Sequence, residues 1–577
     1  MKARMSGAEF IALYFQKQKV SHVFEVIGGM IALVIDAMYR KTRINIISMH
    51  HEQAAGFAAE GFSRIANRPS VALATSGPGA TNLVTAIGSC YFDSVPVLFL
   101  TGQVNRNEQK KRKKIRQLGF QETDIVSVTR PICKKSYMAQ SASHLEALLP
   151  HAFKTLDEGR KGPVVLDVPM DVQKNLYPFS LKKKQVDLGP FRKKGNSFFK
   201  RLQHGLECAQ RPLILFGGGI RSSSMEKQAE KLVNRFGIPA VNSLMAVDVL
   251  PFLNPLRVGL IGSYGNRWAN LALAESDLLL VLGSRLDIRQ TGSNPKSFSR
   301  GKKIFHVDAE QGEMNNRIKG CFTLRSELPT FFEKVRQKSG QQNKRWPEWV
   351  KRIHCLKRQW PDIKEIPSAD LINPNKLMIQ LSERSKKACG FVVDVGQHQM
   401  WAAQSLRLSS GQRFITSGGM GSMGFALPAS IGACLAAKPD PVVMIAGDGG
   451  FQCNLQELET VRRNHLAIKM VVINNGCHGM VRQFQESYLE QRYQSTLLGY
   501  SAPSFAKIAQ AYGIKATQVR HGKDVDLKLR IMWEKPREPF LLEVILPSNM
   551  NVYPKLAFGK TLADMEPQVS SEKLEST

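Results

Sequence analysis

Two short polar segments, each placed directly after an apolar run, contain the residue types that bind a phosphate and a metal ion. Gly447-Asp448-Gly449 follows PVVMIA, and Asn474-Asn475 follows KMVVI. Glycines let a backbone approach a phosphate closely, and a helix that follows them directs its amino-terminal dipole at the anion. Asp448 and Asn475 offer oxygen ligands, and Mg²⁺ is commonly held by a few protein oxygens together with phosphate oxygens. GDG alone is usually a turn, but the whole arrangement predicts a phosphate–metal site.

The spacing of the two segments indicates which elements must position them. The residues numbered 450–473 suffice for one helix, predicted at about Asn454–Arg463, and for the next strand. Both polar segments are therefore expected at the carboxyl ends of neighbouring parallel strands, where α/β sheets bind their ligands.

Apolar runs alternate with helical patterns along the whole chain, which predicts an α/β fold of three doubly wound parallel-sheet domains. The predicted domains cover 1–180, 198–335 and 375–555. The first and third share the same rhythm of strand, glycine loop and helix. Segments 181–197 and 340–374 are expected to be polar connectors, and the polar tail after about Gly559 is expected to be mobile.

Several motifs in the first and third domains resemble the acetolactate synthase family of thiamine-diphosphate-dependent enzymes in both order and spacing. They are HHEQAAGFAAEGFSR, TSGPGATN and GFQETD, then VGQHQMWAAQ and TSGGMGSMGFALPASIGA. The resemblance extends over almost the whole chain. It implies a pyrimidine-binding, a central and a diphosphate-binding domain.

The same resemblance implies a transferase of branched-chain amino acid biosynthesis. Such a carboligase decarboxylates pyruvate and transfers the two-carbon unit to a second 2-oxo acid. It further implies thiamine diphosphate, Mg²⁺ and FAD as cofactors. A homodimer or homotetramer with active sites at the interface is expected, together with a regulatory small subunit.

The resemblance assigns roles to individual residues, first among them Glu52. This carboxyl group would bond the aminopyrimidine ring and promote loss of the thiazolium C2 proton. In isolation, Glu52 would more simply be a first-turn glutamate that complements a helix dipole, but within HEQAAGFAAEG the catalytic role is favoured. Gly29, Phe120 and Gln121 would face the reacting carbons. The cofactor contacts would come from Pro78, Asn82, Gln397, His398, Gly421, Met423, Gly447, Gly449 and Gly450. The metal would bind Asp448, Asn475 and the backbone carbonyl of Cys477, and substrate would meet Arg289 and Phe484. His50, His51 and His478 are weaker candidates for proton transfer, and His51 is more typical of a helix start.

Some positions depart from the family pattern near the expected second-substrate entrance. Met170 stands where a lysine is common, Ile288 where an acid is common, and Phe484 where a tryptophan is common. The segment GLIGSYGNR replaces the loop that usually contains GMHG, which bears on the flavin. These departures favour, as an alternative, a decarboxylase, lyase or ligase that uses a different acceptor.

Composition excludes some classes of protein and leaves others open. Among 577 residues, the nine cysteines form no CxxC pair, so neither a zinc site nor a disulfide framework is indicated. No signal peptide or membrane span is recognisable, and a cytoplasmic protein is expected. The net charge of +32 is unusual, and Lys110–Lys114 is its densest run. A nucleic-acid-binding protein or scaffold is the alternative of another class. A basic solvated surface is favoured, because no nucleic-acid motif accompanies the charge.

Overall fold

The computed structural model describes residues 3–111, 113–181, 196–338, 346–366 and 371–568. Three six-stranded parallel sheets lie in chain order, together with two short antiparallel two-stranded ladders, so the predicted fold class is confirmed. The strands of the first domain are β1 (Ala3–Ser6), β2 (His22–Val26), β3 (Asn45–Ser48), β4 (Ser70–Ala74), β5 (Val97–Gln103), β6 (Lys135–Met138), β7 (Val164–Pro169) and β8 (Leu176–Phe179). Those of the central domain are β9 (Pro212–Phe216), β10 (Ala240–Asn242), β11 (Arg257–Leu260), β12 (Leu278–Leu282), β13 (Lys303–Asp308) and β14 (Phe322–Arg325). The remaining strands are β15 (Gly390–Val393), β16 (Arg413–Thr416), β17 (Val442–Gly447), β18 (Ile468–Asn474), β19 (Lys515–Val519), β20 (Phe540–Ile545), β21 (Lys555–Leu556) and β22 (Met565–Glu566).

Helices connect the strands and pack around each sheet. The first domain contains α1 (Gly7–Lys17), α2 (Ala32–Lys41), α3 (Glu52–Ala66), α4 (Pro78–Asn82), α5 (Val84–Phe92), α6 (Ile125–Thr129), α7 (Ala142–Asp157) and α8 (Met170–Lys174). The central part contains α9 (Asn196–Cys208), α10 (Gly219–Ser222), α11 (Glu226–Phe236), α12 (Arg267–Glu275), α13 (Ile288–Thr291), α14 (Pro295–Ser299), α15 (Leu328–Lys338) and α16 (Pro347–Gln359). The third contains α17 (Pro374–Arg384), α18 (Gln397–Ser405), α19 (Ala426–Ala437), α20 (Asp448–Gln452), α21 (Leu458–Arg463), α22 (Gly479–Tyr488), α23 (Phe505–Ala511) and α24 (Val525–Trp533).

The first and third sheets share one topology. Their strand orders are β3-β2-β4-β5-β7-β6 and β16-β15-β17-β18-β20-β19, which are identical when the strands are numbered within each sheet. Their central strands are near-continuous apolar runs because helices cover both faces. In each sheet the order reverses beside the first strand, and such switch points form ligand crevices at the carboxyl ends of the strands.

The central sheet has a different order, β11-β10-β9-β12-β13-β14. Numbered within the domain it reads 3-2-1-4-5-6, the doubly wound order that binds dinucleotides where the order reverses. That switch point lies between β9 and β12. Sequence patterns indicated the strands of this domain but not their order.

Helix α3 of the first domain packs closely on α19 of the third domain. A Cβ atom added to Gly61 or Gly432 would overlap the backbone of the facing helix, at Ala429 and Ala58 respectively. Phe57 also meets Phe425 edge to face, with ring centroids 5.3 Å apart. The two outer domains therefore share a continuous apolar core.

Two expectations about connecting segments are wrong. Part of the 340–374 segment forms α16, whose Trp349 and Ile353 are buried in the core of the central domain. The tail is ordered through 568, since β21 pairs with β22 and Met565 is buried. Both segments are polar on average, and a few widely spaced apolar residues are enough to pack them against the protein. Such sparse residues give no clear pattern in the sequence. Of the 181–197 linker, 182–195 lie outside the described residues, and the predicted domain bounds stay predictions. None of the described helices is long and apolar enough to cross a membrane.

Candidate functional site

Four neighbouring strands of the third sheet end at a common edge, and each delivers residues to it. His398 follows β15, Met423 follows β16, Asp448 follows β17 and Asn475 follows β18. The predicted proximity of the GDG and Asn-Asn segments is confirmed, since β17 and β18 pair in parallel. The helix predicted at about Asn454–Arg463 is present as a 3₁₀ turn followed by α21, which ends at Arg463, and a separate short helix, α20, begins at Asp448 itself.

Three oxygen atoms converge at this edge. The side-chain oxygen of Asn475 lies 2.9 Å from the carbonyl oxygen of Cys477 and 3.3 Å from Oδ1 of Asp448. The Asn475 amide nitrogen donates to Oε1 of Gln397 at 3.1 Å. This orientation is set by Gln397, whose own nitrogen donates to the carbonyl of Met550 at 2.9 Å. Held in this orientation by Gln397, the Asn475 oxygen joins the Asp448 carboxylate and the Cys477 carbonyl in a set of the donor types that Mg²⁺ prefers. The residues present therefore fit a magnesium ion.

Asp448 is the only acidic member of this donor set. It is 2% exposed, and Tyr500 donates to its Oδ2 at 3.0 Å. Burial raises the pKa of Asp448 to about 6, because the charged form loses hydration and gains only hydrogen bonds. A cation in the site would supply the missing counter-charge. Elsewhere in the described residues, no group of three or more His, Cys, Asp and Glu side chains is arranged to hold a metal ion.

His398 lies beside the GDG segment with one ring nitrogen unused. Its Nε2 is buried and has no hydrogen-bond partner among the described residues. Burial lowers the pKa of His398 to about 3, so the ring is neutral and can donate through one nitrogen. A Cβ atom on Gly447 would lie 2.9 Å from this ring, and one on Gly449 would lie 2.7 Å from His478. The glycines thus keep the backbone open where a phosphate could approach.

The segment 417–425 between β16 and α19 is a loop, as its glycines predict. Gly421 has a positive φ of 69°, and Met423 is 39% exposed with its Cε atom over Gly449. The loop is held by Asp394, whose Oδ1 accepts from Gly424 N and Oδ2 from Ala426 N, both at 3.1 Å. Sequence reasoning missed Asp394, although an acid directly after the buried strand FVV was a usable signal.

A second group of predicted residues gathers in the first domain around Glu52. The residue is the first of α3 and half-buried, and its Oε2 accepts from Asn82 Nδ2 at 2.9 Å. Pro78 and Asn82 are the first and last residues of α4. His51 caps α3, since its Nδ1 accepts from Gln53 N at 3.1 Å, and the expectation that His51 orients a helix start is confirmed.

Gly29, Phe120 and Gln121 line the open side of this group. Gly29 is exposed with free space around it, and Phe120 is 77% exposed. Gln121 adopts a φ of +65°, which is unusual for a residue with a side chain. Its Cβ lies close to Gly77, at the start of α4, and so ties the Phe120 loop to the Glu52 group.

We call Glu52, Asn82, Gly29 and Gln121 the first-domain cluster, and Asp448, Asn475, Cys477, Gln397 and His398 the third-domain cluster. Within the described parts of the chain, no hydrogen bond or ion pair joins one cluster to the other. The domains are tied beside the clusters instead, where Asn454 Nδ2 donates to Gln53 Oε1 at 3.2 Å.

The predicted substrate residues lie on different domains but approach the same region. Phe484 on α22 is 54% exposed, and its ring lies 5.0 Å from that of Tyr488. Arg289 on α13 is exposed, and no carboxylate of the described chain lies within 4 Å of its guanidinium. Burial raises the pKa of Tyr264 to about 12; Tyr488 adds to this shift and Arg289 opposes it. Tyr264 therefore lies near both groups.

The other residues that depart from the family pattern, and the histidines considered for proton transfer, lie in ordinary structural positions. Ile288 is half-exposed at the start of α13, and Met170 begins α8. His50 Nδ1 lies 3.2 Å from the hydroxyl of Thr460. His478 packs against Tyr500 with ring centroids 4.3 Å apart.

A cleft of about 410 Å³ opens at the switch point of the central sheet. Its walls are the glycine turn after β9, Gly283 after β12 and Asp308 at the end of β13, joined by Tyr264 of the GLIGSYGNR loop. Cationic side chains surround these walls, among them Arg160, Arg221, Arg285, Arg289 and Arg413. Its size is typical of ligand pockets, and its position suits a dinucleotide.

Comparison with known proteins agrees with this geometry. The N-terminal TPP binding domain, central domain and C-terminal TPP binding domain of the thiamine pyrophosphate enzymes match residues 5–128, 200–334 and 394–544. The acetolactate synthase large subunit of Cyanidium caldarium is 36% identical over 97% of this chain and 96% of its own length. The chain belongs to the acetolactate synthase family of thiamine pyrophosphate enzymes. Among further members, the large subunit of Lactococcus lactis subsp. lactis (strain IL1403) is 34% identical over 96% of this chain and 95% of its own length. The isozyme 2 large subunit of Escherichia coli (strain K12) is 33% identical over 98% of this chain and all of its own.

Proposed function

We propose that the protein is a carboligase that decarboxylates pyruvate and joins the two-carbon unit to a second 2-oxo acid, giving 2-acetolactate or a homologue. The observation that carries this proposal is the convergence of the Asp448, Asn475 and Cys477 oxygens beside a glycine loop. The similarity to the relatives extends over nearly the whole chain, and those relatives are named acetolactate synthases.

The third-domain cluster would hold the diphosphate end of thiamine diphosphate. Asp448, Asn475 and the carbonyl of Cys477 would bind Mg²⁺, and the ring of His398 would contact the diphosphate. Gly447, Gly449 and Gly450 leave room for the phosphate groups. When bound, the cofactor supplies an electron sink for the carbon next to a former carbonyl.

The first-domain cluster would act on the aminopyrimidine end. Glu52 would hold a proton against the ring nitrogen, and Asn82 fixes the carboxylate by donating to its other oxygen. Met423 would press between the two rings, and the carbonyl of Gly421 would accept from the ring amino group. Gln397 orients Asn475, as described above, and so takes part through the metal site.

Substrate would enter from the exposed side of this cluster. The N–H of Gly29 could stabilise negative charge on a reacting carbonyl oxygen, while Phe120 and Gln121 enclose the reacting carbons. Arg289, which lacks a carboxylate partner in the described chain, could bind the carboxylate of an incoming 2-oxo acid. Phe484 would form the apolar wall beside it.

The central cleft would bind FAD. Three observations support this: the 3-2-1-4-5-6 strand order, the glycine turn after β9 and the cationic lining, which suits a diphosphate. Tyr264, which belongs to the segment that departs from the family pattern, forms part of the wall rather than closing the cleft.

A second copy of the chain would complete the active site. Phe120 and Gly29 are exposed in one chain, and the first-domain cluster has no bonded counterpart in that chain. In the proposed homodimer, Glu52 of one protomer faces Asp448 of its partner. The relatives are named large subunits, which motivates a regulatory small subunit as a further partner.

The test is carbon-13 NMR of labelled pyruvate incubated with the purified protein, Mg²⁺, thiamine diphosphate and FAD. Labelled 2-acetolactate is the expected product. Acetaldehyde, or no turnover while calorimetry demonstrates bound cofactor, would reject the carboligase and favour a decarboxylase or lyase. Phe484 and Ile288 motivate that second candidate, because they alter the wall and charge near Arg289.

A further inference from the structure

The 417–425 loop, which carries Gly421 and Met423, is held at both ends by a buried carboxylate. At its end, Asp394 accepts from Gly424 and Ala426, as described above. At its beginning, Oδ2 of Asp93 accepts from Gly418 N at 2.8 Å and Oδ1 accepts from Gly419 N at 2.8 Å. Asp394 belongs to the same sheet as the loop, whereas Asp93 follows α5 in the first domain.

The beginning of the loop has no room to shift on its own. A Cβ atom on Gly419 would lie 2.5 Å from Cβ of Phe92, and one on Gly418 would overlap the side chain of Met245 in the central domain. The loop backbone thus contacts both other domains at the point where Asp93 binds it. Displacing Asp93 would free the loop at one end while Asp394 still fixed the other.

Asp93 is itself held by a buried arginine. Nη2 of Arg64 lies 2.8 Å from Asp93 Oδ2 and 2.6 Å from Glu60 Oε1, and Nη1 donates to the carbonyl of Thr416 at 2.8 Å. The side chains of Glu60, Arg64 and Asp93 are all at most 9% exposed. Burial raises the pKa of Glu60, although Arg64 opposes the shift. When Glu60 is protonated, the buried group contains one cation, Arg64, and one anion, Asp93, so its charges balance.

Charge on Asp93 matters for its contact with the loop. A carboxylate that accepts from two successive backbone N–H groups fixes both peptide planes, and hydrogen bonds to a charged acceptor are about twice as strong as neutral ones. Arg64 fixes the carboxylate and also the last residue of β16, so the pair spans the junction between strand and loop. The position of Met423 therefore depends on a residue of another domain.

We propose that Asp93 is a positioning residue that, together with Arg64, sets the 417–425 loop so that Gly421 and Met423 meet the cofactor correctly. This inference rests on the proposed function only as far as thiamine diphosphate binds at Met423. It identifies the packing of the first domain on the third as a determinant of cofactor geometry. The effect should appear at the C2 proton of the cofactor, since its removal requires the two rings to be held in one geometry.

The experiment measures deuterium exchange at C2 of bound thiamine diphosphate in the Mg²⁺-loaded protein without pyruvate, by acid quench and proton NMR. Asp93→Asn keeps the size of the side chain but removes its charge and leaves one of the two N–H groups without an acceptor. We expect the exchange rate and kcat to fall together by about tenfold, with KM for pyruvate changed less than threefold.

The matched control is Glu365→Gln, which breaks another buried arginine–carboxylate pair. Arg267 bonds Glu365 at 2.7 and 2.8 Å, and its other contacts reach the carbonyls of Met565 and Pro567 rather than the loop. We expect this variant to lose comparable thermal stability but to exchange C2 at the wild-type rate. Wild-type exchange in Asp93→Asn, or equal slowing in both variants, would overturn the proposal.

The same measurement separates this inference from the proposed function. Exchange requires bound cofactor and a competent first-domain cluster but no acetolactate formation, so failure of the carboligase assignment leaves the test intact. Glu52→Gln serves as the reference for slow exchange.

Discussion

The third-domain cluster and the first-domain cluster differ in how far one chain completes them. Around Asp448 the side chains of the cluster are buried, and the oxygens of Asp448, Asn475 and Cys477 lie close together. Around Glu52 the carboxylate has one side-chain partner, Asn82, and the surroundings open to solvent at Gly29 and Phe120. The contrast indicates that a single chain largely completes the proposed phosphate–metal site, whereas the proposed proton-transfer site stays open to solvent in one chain.

The largest effect is expected from Asp448→Ala, which removes the only charged ligand of the proposed metal site. Magnesium-dependent affinity for thiamine diphosphate should fall at least about 100-fold, since the remaining amide and carbonyl oxygens are neutral. Calorimetry with and without Mg²⁺ measures this loss. The control is Asp440→Ala, an exposed acid two residues before β17. Affinity within threefold of the wild type would remove Asp448 from the metal site.

Glu52→Gln should distinguish the contribution of the first-domain cluster to activity from that of the third-domain cluster, because it leaves the third-domain cluster unchanged. The amide can still accept from Asn82 but cannot transfer a proton, so kcat should fall by about 10²–10⁴-fold. Cofactor affinity should change less than tenfold. If Glu52 only complements the dipole of α3, the loss is confined to about 1 kcal/mol of stability. Glu348→Gln, in the first turn of α16, is the matched control for that outcome.

Mixing the two inactive variants tests whether the clusters meet across two chains. Random exchange between equal amounts of Glu52→Gln and Asp448→Ala protomers makes about half of the dimers hybrids, and each hybrid has one intact site of two. The mixture should therefore recover about a quarter of wild-type activity. Activity is measured after subunit exchange, and hybrids are verified by native mass spectrometry with distinguishable tags. Hybrids without recovered activity would mean that each chain builds its own site.

The last prediction concerns stability rather than catalysis, in the support beneath the first-domain cluster. Asp167 accepts from Gln103 at 2.9 Å, and Gln103 donates at 2.8 Å to the carbonyl of Thr123, beside Gln121. Burial raises the pKa of Asp167 from 3.8 to about 7. The folded chain then keeps a proton that the unfolded chain releases, so stability falls as pH rises from about 4 to about 7 and is level above.

Asp167→Asn removes this penalty and should therefore gain stability relative to the wild type as pH rises through that window. The gain is at most about 4 kcal/mol, from a shift of about three pKa units. Thermal midpoints at about pH 5.5 and about pH 8 measure it. The exposed Asp36→Asn is the control. A difference between variant and wild type that is the same at both pH values would contradict the assignment.

The local sequence was sufficient to predict a candidate site residue wherever that residue and the strand that supports it are adjacent in the chain. Gly447-Asp448-Gly449 after an apolar run predicted a strand and the turn that follows it. The spacing from there to Asn475 predicted one helix and the neighbouring strand. Motif resemblance then added Glu52 and Met423, whose roles stay predictions. The glycines of the 417–425 loop correctly indicated a loop rather than a helix.

Contacts between distant segments were beyond such reasoning. Asp394 left a local signal that was not used, but Tyr500 and Asp93 left none, since each acts on a segment far away in the chain. The docked tail was missed for the same reason, because hydropathy averages over its few buried residues. Likewise, the residues of the central-sheet strands do not indicate the order in which those strands pair.

The sequence by itself determined the three α/β domains, the apolar strands and the residue types at their carboxyl ends, because these depend on short-range periodicity and on backbone freedom at glycine. Only the tertiary structure decided which oxygens converge, which carboxylate holds the 417–425 loop and which cluster is left open. Those outcomes depend on packing between domains, where close contact at Gly61 and Gly432 and burial of paired charges select one arrangement among many that the local sequence allows.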